Sequence, residues 1–341
     1  MNDQVNLAGA IPATPLLLDD SGRIDWARQR ALLRYYLDAG VDGLAVGVHT
    51  TQFELHDDPV ALRELWTLVR DEVSTADRPV TLVAGICGDV PQAHAEATVA
   101  TELGFAAALL CSSGMAQVTP EALLQRARAV GEVMPTIGFY LQESVGGVHL
   151  PDTFWSELVD VDTVAGIKAA PFDRYRTRDV ARSILRSDRW DQVALLTGND
   201  DSIIADLVTP HRLDVGGEVR ELRVQGGLLG QFAVGTRAAV SLTHQSLECG
   251  DQVPAELLAL GQDLTEVNAA VFDVANNFAG CVAGVNEVLR QQGIAASATC
   301  LSESERVSAG QSELIRRVRS EHPWLLDEEF IAENRDRWLN A

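Results

Sequence analysis

Residues 80–111 read VTLVAGICGDVPQAHAEATVATELGFAAALLC. An apolar run fills 80–84, an amphipathic segment opens at Pro91 and stops before Gly104, and a second apolar run fills 106–111. Short apolar runs bounded by turn residues fit strands buried on both faces. A proline in the first turn and a glycine just past the last mark the ends of a helix. The stretch is therefore a strand, a helix and a second strand, and the same alternation continues in both directions. Further strands are expected at 7–12, 43–48, 136–140, 164–168, 193–197 and 226–229, with helices at 24–39, 59–73 and 120–133. About eight such units in succession predict a parallel (β/α)8 barrel. The competing architecture is an open doubly wound sheet, but no Gly-x-Gly-x-x-Gly follows the first strand.

Beyond about residue 250 the pattern turns helical, at 254–277, 279–292, 304–321 and 327–340. No Pro/Ser-rich linker separates the two regions. The expected organisation is a barrel over 1–248 that carries the active site, with a helical extension over 249–341 packed on it. Residues 208–223 read as a loop or small insertion before the eighth strand.

The chain carries 49 acidic and 27 basic residues, a net charge of −22. Nucleic acid and anionic membrane surfaces select basic patches, so neither is an expected partner. No apolar run reaches the length of a membrane span, and the N-terminus lacks a basic and an apolar signal region. Five scattered cysteines without Cys-x-x-Cys spacing fit reduced thiols better than disulfides or zinc. A cytoplasmic location is the resulting expectation. The seven histidines show neither His-x-His nor His-Glu-x-x-His spacing, so no metal is expected.

Of the 27 cationic residues 26 are arginine, and the one lysine is Lys168, in Val164-Ala165-Gly166-Ile167-Lys168-Ala169-Ala170. Arginine cannot lose its proton to become a carbonyl-attacking nucleophile, and lysine can. Burial at the end of an apolar strand disfavours the ammonium and activates the amine. A Schiff-base lysine and a codon bias against lysine both account for the count; the strand-end position favours the first. Catalytic groups of a (β/α)8 barrel sit at the C-terminal ends of its strands. Tyr140 ends the fifth expected strand, neighbour to Lys168, and is read as a proton shuttle. The second strand runs into Val48-His49-Thr50-Thr51-Gln52, whose hydroxyls and backbone N–H groups suit a carboxylate. Gly198-Asn199-Asp200-Asp201 follows the seventh strand, and Gly227 lies in the eighth, where the backbone can approach a ligand closely.

Together these segments resemble the class I, pyruvate-type aldolases that include dihydrodipicolinate synthase, N-acetylneuraminate lyase and the 2-keto-3-deoxy sugar-acid aldolases and dehydratases. The resemblance runs over residues 7–241. It rests on Ala10-Ile11-Pro12-Ala13-Thr14-Pro15, Ala39-Gly40-Val41-Asp42-Gly43-Leu44, Val83-Ala84-Gly85, Tyr140 with Gly147 and Leu150, Val164 through Lys168, and Gly198-Asn199-Asp200-Asp201. It implies that Lys168 forms an imine with a 2-oxo acid, that Tyr140, 28 residues upstream, relays protons, and that Thr50 and Thr51 hold the substrate carboxylate. It also implies that Gly198, Asp200 and Asp201 contact the distal, polyhydroxylated part, with no cofactor and a homo-oligomeric assembly (tetramer or dimer).

The chain departs from this family's pattern in four places. Aligned without gaps from Asp42-Gly43, the family's Gly-Thr-Thr-Gly-Glu loop falls on residues 48–52, so that His49 replaces the first threonine. A one-residue shift instead matches Thr50 and Thr51. His49 is thus a candidate acid/base and also a candidate bystander. After the fourth strand Cys111-Ser112-Ser113-Gly114 stands where the synthases carry a tyrosine pair. Leu141 and Val145 stand where they carry an asparagine and a carboxylate-gripping arginine. The expected activity is therefore a lyase, aldolase or dehydratase, acting on a 2-keto-3-deoxy sugar acid or on pyruvate plus an aldehyde, and not dihydrodipicolinate synthesis. A catalytically silent barrel that binds a 2-oxo acid and a structural or assembly protein are the alternatives.

Overall fold

The structure, a computed structural model, describes residues 5–340. The strands are β1 (Gly9–Pro12), β2 (Gly43–Val46), β3 (Thr81–Ile86), β4 (Ala107–Leu110), β5 (Thr136–Leu141), β6 (Val164–Ala170), β7 (Ala194–Thr197), β8 (His211–Val215), β9 (Glu218–Leu222) and β10 (Val224–Leu229). Eight of them form one parallel sheet in the order β1-β10-β7-β6-β5-β4-β3-β2. The ends of that sheet meet at a parallel bridge between Ala13 and Ala45, so it closes as a (β/α)8 barrel, as the sequence predicts. The other two strands, β8 and β9, pair as an antiparallel hairpin turning on Gly216 and Gly217, both at positive φ. This hairpin occupies the region expected to be a loop; its alternation of charged and apolar residues is too short to stand out from sequence.

The helices between strands are α1 (Trp26–Ala39), α2 (Pro59–Val73), α3 (Val90–Glu102), α4 (Pro120–Gly131), α5 (Asp152–Val159), α6 (Arg174–Arg186), α7 (Ile203–Val208) and α8 (Thr236–Glu248). Their boundaries follow the capping chemistry. Asp25, Asp58, Thr119 and Asp173 accept hydrogen bonds from first-turn N–H groups, and Gly40 closes α1 at φ 93°. The extension contributes α9 (Ala255–Val271), α10 (Cys281–Gln291), α11 (Gln311–Glu321) and α12 (Glu328–Asn340). The helix expected over 254–277 stops at Val271 because Asp273 and Asn277 turn left-handed.

Two apolar layers result from strand alternation. Residues such as Ile11, Ala45, Val83, Leu109, Ile137 and Leu196 fill the barrel interior, and alternate residues such as Leu44, Ala84, Leu110, Ile167 and Leu195 pack outward against the helices. The extension is tied to the barrel by polar contacts across long chain separations. Asp327 accepts from Tyr35 Oη (2.6 Å) and from the N–H groups of Arg237 and Ala238, and Arg28 donates to the carbonyls of Gly293 and Ile294.

Candidate active site

Lys168 lies near the C-terminal end of β6, 7% exposed, with its side chain turned into the barrel mouth. Its neighbour across the β5–β6 ladder is Phe139, whose ring centre lies 4.3 Å from Lys168 Nζ. Tyr140, the expected proton shuttle, does not face the amine. It belongs to the outer layer, with its ring 4.9 Å from that of Trp155 on α5 and its hydroxyl 3.5 Å from His149 Nδ1. The cause is an irregularity in the ladder: Thr136 pairs with Val164 and Ile137 with Gly166, so Ala165 is an extra residue in β6. A one-residue slip exchanges the two faces of a strand. The inward partner of Lys168 is therefore 29 residues upstream, at Phe139, and the spacing of 28 leads to an outward residue.

The amine opens into a cavity of about 50 Å3. Val48, His49 and Thr50 line it from the β2 side, Phe139, Leu141 and Val145 from β5 and its loop, and Gly198 and Asp200 from the β7 end. The extension supplies Phe272, Phe278 and Cys281. Composition and periodicity offered no signal for these three, because only folding brings the chain beyond residue 250 over the barrel mouth. An outer cavity of about 500 Å3 adjoins the first, sharing Gln142, Asp200 and the rings of Phe172, Phe272 and Phe278. Its remaining lining includes Arg176, Asp201, Thr265 and Asn268. Phe172 and Phe278 meet edge-on at 5.7 Å, both at positive φ. The Phe172 backbone is fixed by its N–H donating to Asn199 Oδ1 at 3.0 Å.

The other expected site residues divide between the cavity and its supports. His49 and Thr50 line the cavity, and their N–H groups open a short 3-10 turn (His49–Thr51) in which they have no acceptor. Thr51 does not reach the cavity. Its hydroxyl accepts from the N–H groups of Gly47 and Val48 and donates to the Thr14 carbonyl, bracing the loop from behind. The Thr50 hydroxyl donates to the Ala13 carbonyl at 2.7 Å. Gly198 is required by contact: a Cβ there would lie 2.6 Å from Lys168 Cε and 2.7 Å from Ala170 Cβ. Gly227 lies off the cavity, where a Cβ would meet Leu229 and Phe232, and Gly230 lines it instead. Asp201 lines only the outer cavity. Asp200, expected at the distal end, borders both and lies within electrostatic reach of the amine. Ser112 and Ser113 do not line the site; Cys111 lies below it in the barrel interior. Among the described residues no three of His, Cys, Asp and Glu converge as metal ligands.

Burial controls the protonation states. It lowers the Lys168 amine to about 8, against the opposing pull of the Asp200 carboxylate and of Cys111. It raises Asp200 to about 7, against the Gln231 N–H bond and the charge of Lys168. It lowers His49 to about 4, with the lysine charge adding to the effect, so this imidazole is neutral at physiological pH. An amine that can be neutral near pH 8, facing a small cavity with a carboxylate beside it, is equipped to attack a carbonyl and to exchange protons.

A barrel with a buried, activatable lysine at the end of β6 defines the class of Schiff-base (β/α)8 lyases. Residues 6–218 match the profile of the dihydrodipicolinate synthetase family, and the chain belongs to that family. Its members are lyases that work through a Schiff-base lysine. A 4-hydroxy-tetrahydrodipicolinate synthase of Nitrosococcus oceani is 25% identical over 301 residues, covering 86% of this chain and 93% of the relative. In fold the chain is similar to YagE, a prophage protein of the dihydrodipicolinic acid synthase family from E. coli K12 solved with pyruvate, at TM-score 0.75 and 16% identity over 92% of this chain and 98% of that one. It is likewise similar to N-acetylneuraminate lyase from Fusobacterium nucleatum, at TM-score 0.72 and 16% identity over 92% and 98% of the two chains. At these identities the structural likeness establishes the barrel and its extension, and nothing about substrate.

Proposed function

We propose that this protein is a Schiff-base lyase acting on a 2-oxo acid. The carrying observation is Lys168: the single lysine of the chain is buried at a barrel strand end, with its amine lowered toward neutrality and facing a small cavity. Its nitrogen attacks C2 of the oxo acid, and loss of water gives the iminium. The N–H groups of His49 and Thr50, which have no acceptor in their turn beside the cavity, suit the carboxylate of the oxo acid. The inner cavity suits the small 2-oxo acid end. The outer cavity, with Asp201, Arg176, Thr265 and Asn268, suits a polyhydroxylated remainder, which supports a 2-keto-3-deoxy sugar acid, or its cleavage products pyruvate and an aldehyde, as the substrate class. Leu141 and Val145 line the inner cavity, and no arginine does so among the described residues. That lining supports an activity other than dihydrodipicolinate synthesis.

The test is incubation with pyruvate and borohydride, followed by intact mass and a peptide map. The expected result is one reduced adduct on the Lys168 peptide, absent in Lys168→Ala. No adduct with pyruvate or with larger 2-oxo acids would remove the imine reading. A second reading, a barrel that binds a 2-oxo acid without turning it over, is favoured by one observation: the ring facing the amine is Phe139, which has no proton to give. Adduct formation without product across a panel of 2-oxo sugar acids would select it.

A further inference from the structure

The imine reading leaves a chemical requirement unmet. After the iminium forms, a base must remove a proton from C3, and an acid must later return one. The expected tyrosine faces away from the amine, and Phe139 occupies the inward position. Four titratable groups line the inner cavity, Lys168 itself, His49, Cys281 and Asp200, and the Thr50 hydroxyl there has its proton committed to the Ala13 carbonyl. Lys168 is consumed in the imine. Burial pushes the Cys281 thiol far above its ordinary range, which keeps it protonated and unable to serve as a base. His49 is neutral, and neither ring nitrogen is oriented by a hydrogen bond among the described residues; its ring packs at a tilt against Phe53, with centroids 5.6 Å apart. Asp200 is the only carboxylate lining the cavity among the described residues, and it is held from two sides. Its Oδ1 accepts from the Gln231 N–H at 3.1 Å, and its main-chain carbonyl accepts from Asn268 Nδ2 at 2.7 Å. The carboxylate also receives its own main-chain N–H, and no side chain among the described residues is shown donating to it, so it can still take a proton.

We propose that the Asp200 carboxylate, in place of a tyrosine, moves the protons of the imine chemistry in this chain. The proposal rests on the imine reading above. In the forward step Asp200 takes the C3 proton; the C–H electron pair becomes the C2=C3 bond, and the C=N pair returns to nitrogen, giving a neutral enamine and a carboxylic acid. In the reverse step, or after cleavage has left an enamine, the acid protonates C3 and restores the iminium. A carboxyl raised to about 7 beside an amine at about 8 can hold or release that proton at neutral pH. The charged and titratable groups around Asp200 are Lys168 on β6, Asp201 on its own loop, His49 after β2 and Cys281 on α10 in the inner cavity, and Glu143, Asp173 and Arg176 in the outer one.

The experiment is the exchange of pyruvate methyl protons for deuterium in D2O, followed by proton NMR, alongside borohydride trapping of the same samples. The wild type is expected to trap an adduct and to exchange. Asp200→Asn, whose side-chain oxygen can keep the Gln231 N–H bond, is expected to trap an adduct but to exchange at least about 100-fold more slowly, the usual contribution of a positioned acid/base. It is also expected to lose the rising limb of exchange near pH 7. Exchange by Asp200→Asn at the wild-type rate overturns the proposal, as does retained exchange there combined with its loss in His49→Phe. A wild type that traps no adduct removes the imine reading itself, which is a different failure.

Discussion

Gly198 offers the most direct test of how the site is assembled. Replacing it with alanine adds one carbon, 2.6 Å from Lys168 Cε and 2.7 Å from Ala170 Cβ. Carbon atoms rest at about 3.5–4.0 Å, so the lysine stem must move by about 1 Å. Near-attack geometry is sensitive on that scale, and a displacement of about 1 Å costs on the order of 100-fold in rate. Overpacking alone costs about 1–3 kcal/mol of stability, which in a chain of this size lowers the melting temperature by a few degrees. The assay is the time course of the borohydride-trapped pyruvate adduct, read with thermal melting. Gly198→Ala should remain folded and trap about 100-fold more slowly. Gly104→Ala is the control: Gly104 has φ 83° and no neighbour at its Cβ position, so alanine there strains the backbone far from the amine. That variant should lose stability and trap at the wild-type rate. Wild-type trapping by Gly198→Ala would refute the view that this glycine exists to admit the lysine.

The remaining expectations concern pH, the outward tyrosine and the attachment of the extension. Attack requires the neutral amine, and burial places that titration at about 8; initial trapping rates should therefore climb from pH 6 through 8 and level off, whereas a rise continuing beyond pH 10 would mark an ordinary solvated lysine. Tyr140→Phe should trap pyruvate within about twofold of wild type and lose no more than about 1 kcal/mol in urea melts, the worth of an ordinary hydrogen bond, because its hydroxyl contacts His149 and Arg176 and does not line the inner cavity around the amine; a 100-fold loss would return the tyrosine to the chemistry. Asp327→Ala removes a cap on the first turn of α8 and leaves the buried Tyr35 O–H without an acceptor, although its oxygen still accepts from the Thr236 N–H, so a loss of about 3 kcal/mol is expected in urea unfolding.

The barrel was readable because its causes are local. Paired apolar runs, prolines in first turns and glycines at helix ends repeat along the chain, and each repeat specifies the same strand-helix unit. Lys168 stood out for a chemical reason, as one amine among 26 guanidinium groups at an apolar strand end, and the structure buries it beside a cavity at the barrel mouth. The family resemblance added the loop expected to hold a carboxylate, of which His49 and Thr50 reach the cavity and Thr51 braces the turn.

What the sequence left undecided depends on single-residue register and on long-range packing. The extra residue at Ala165 exchanges the faces of β5 relative to β6, and so substitutes Phe139 for Tyr140 opposite the lysine. No local propensity encodes such a bulge, because it balances strands paired across the whole barrel. Asp200 sits beside the amine because Gln231 and Asn268, which lie 31 and 68 residues away in the chain, hold it there. The closure of the site by Phe272, Phe278 and Cys281 likewise arises only when the extension folds back over the barrel mouth. The sequence alone determined the scaffold and its candidate nucleophile; tertiary structure decided which groups face that amine, because facing is set by strand register and by contacts between residues far apart in the chain.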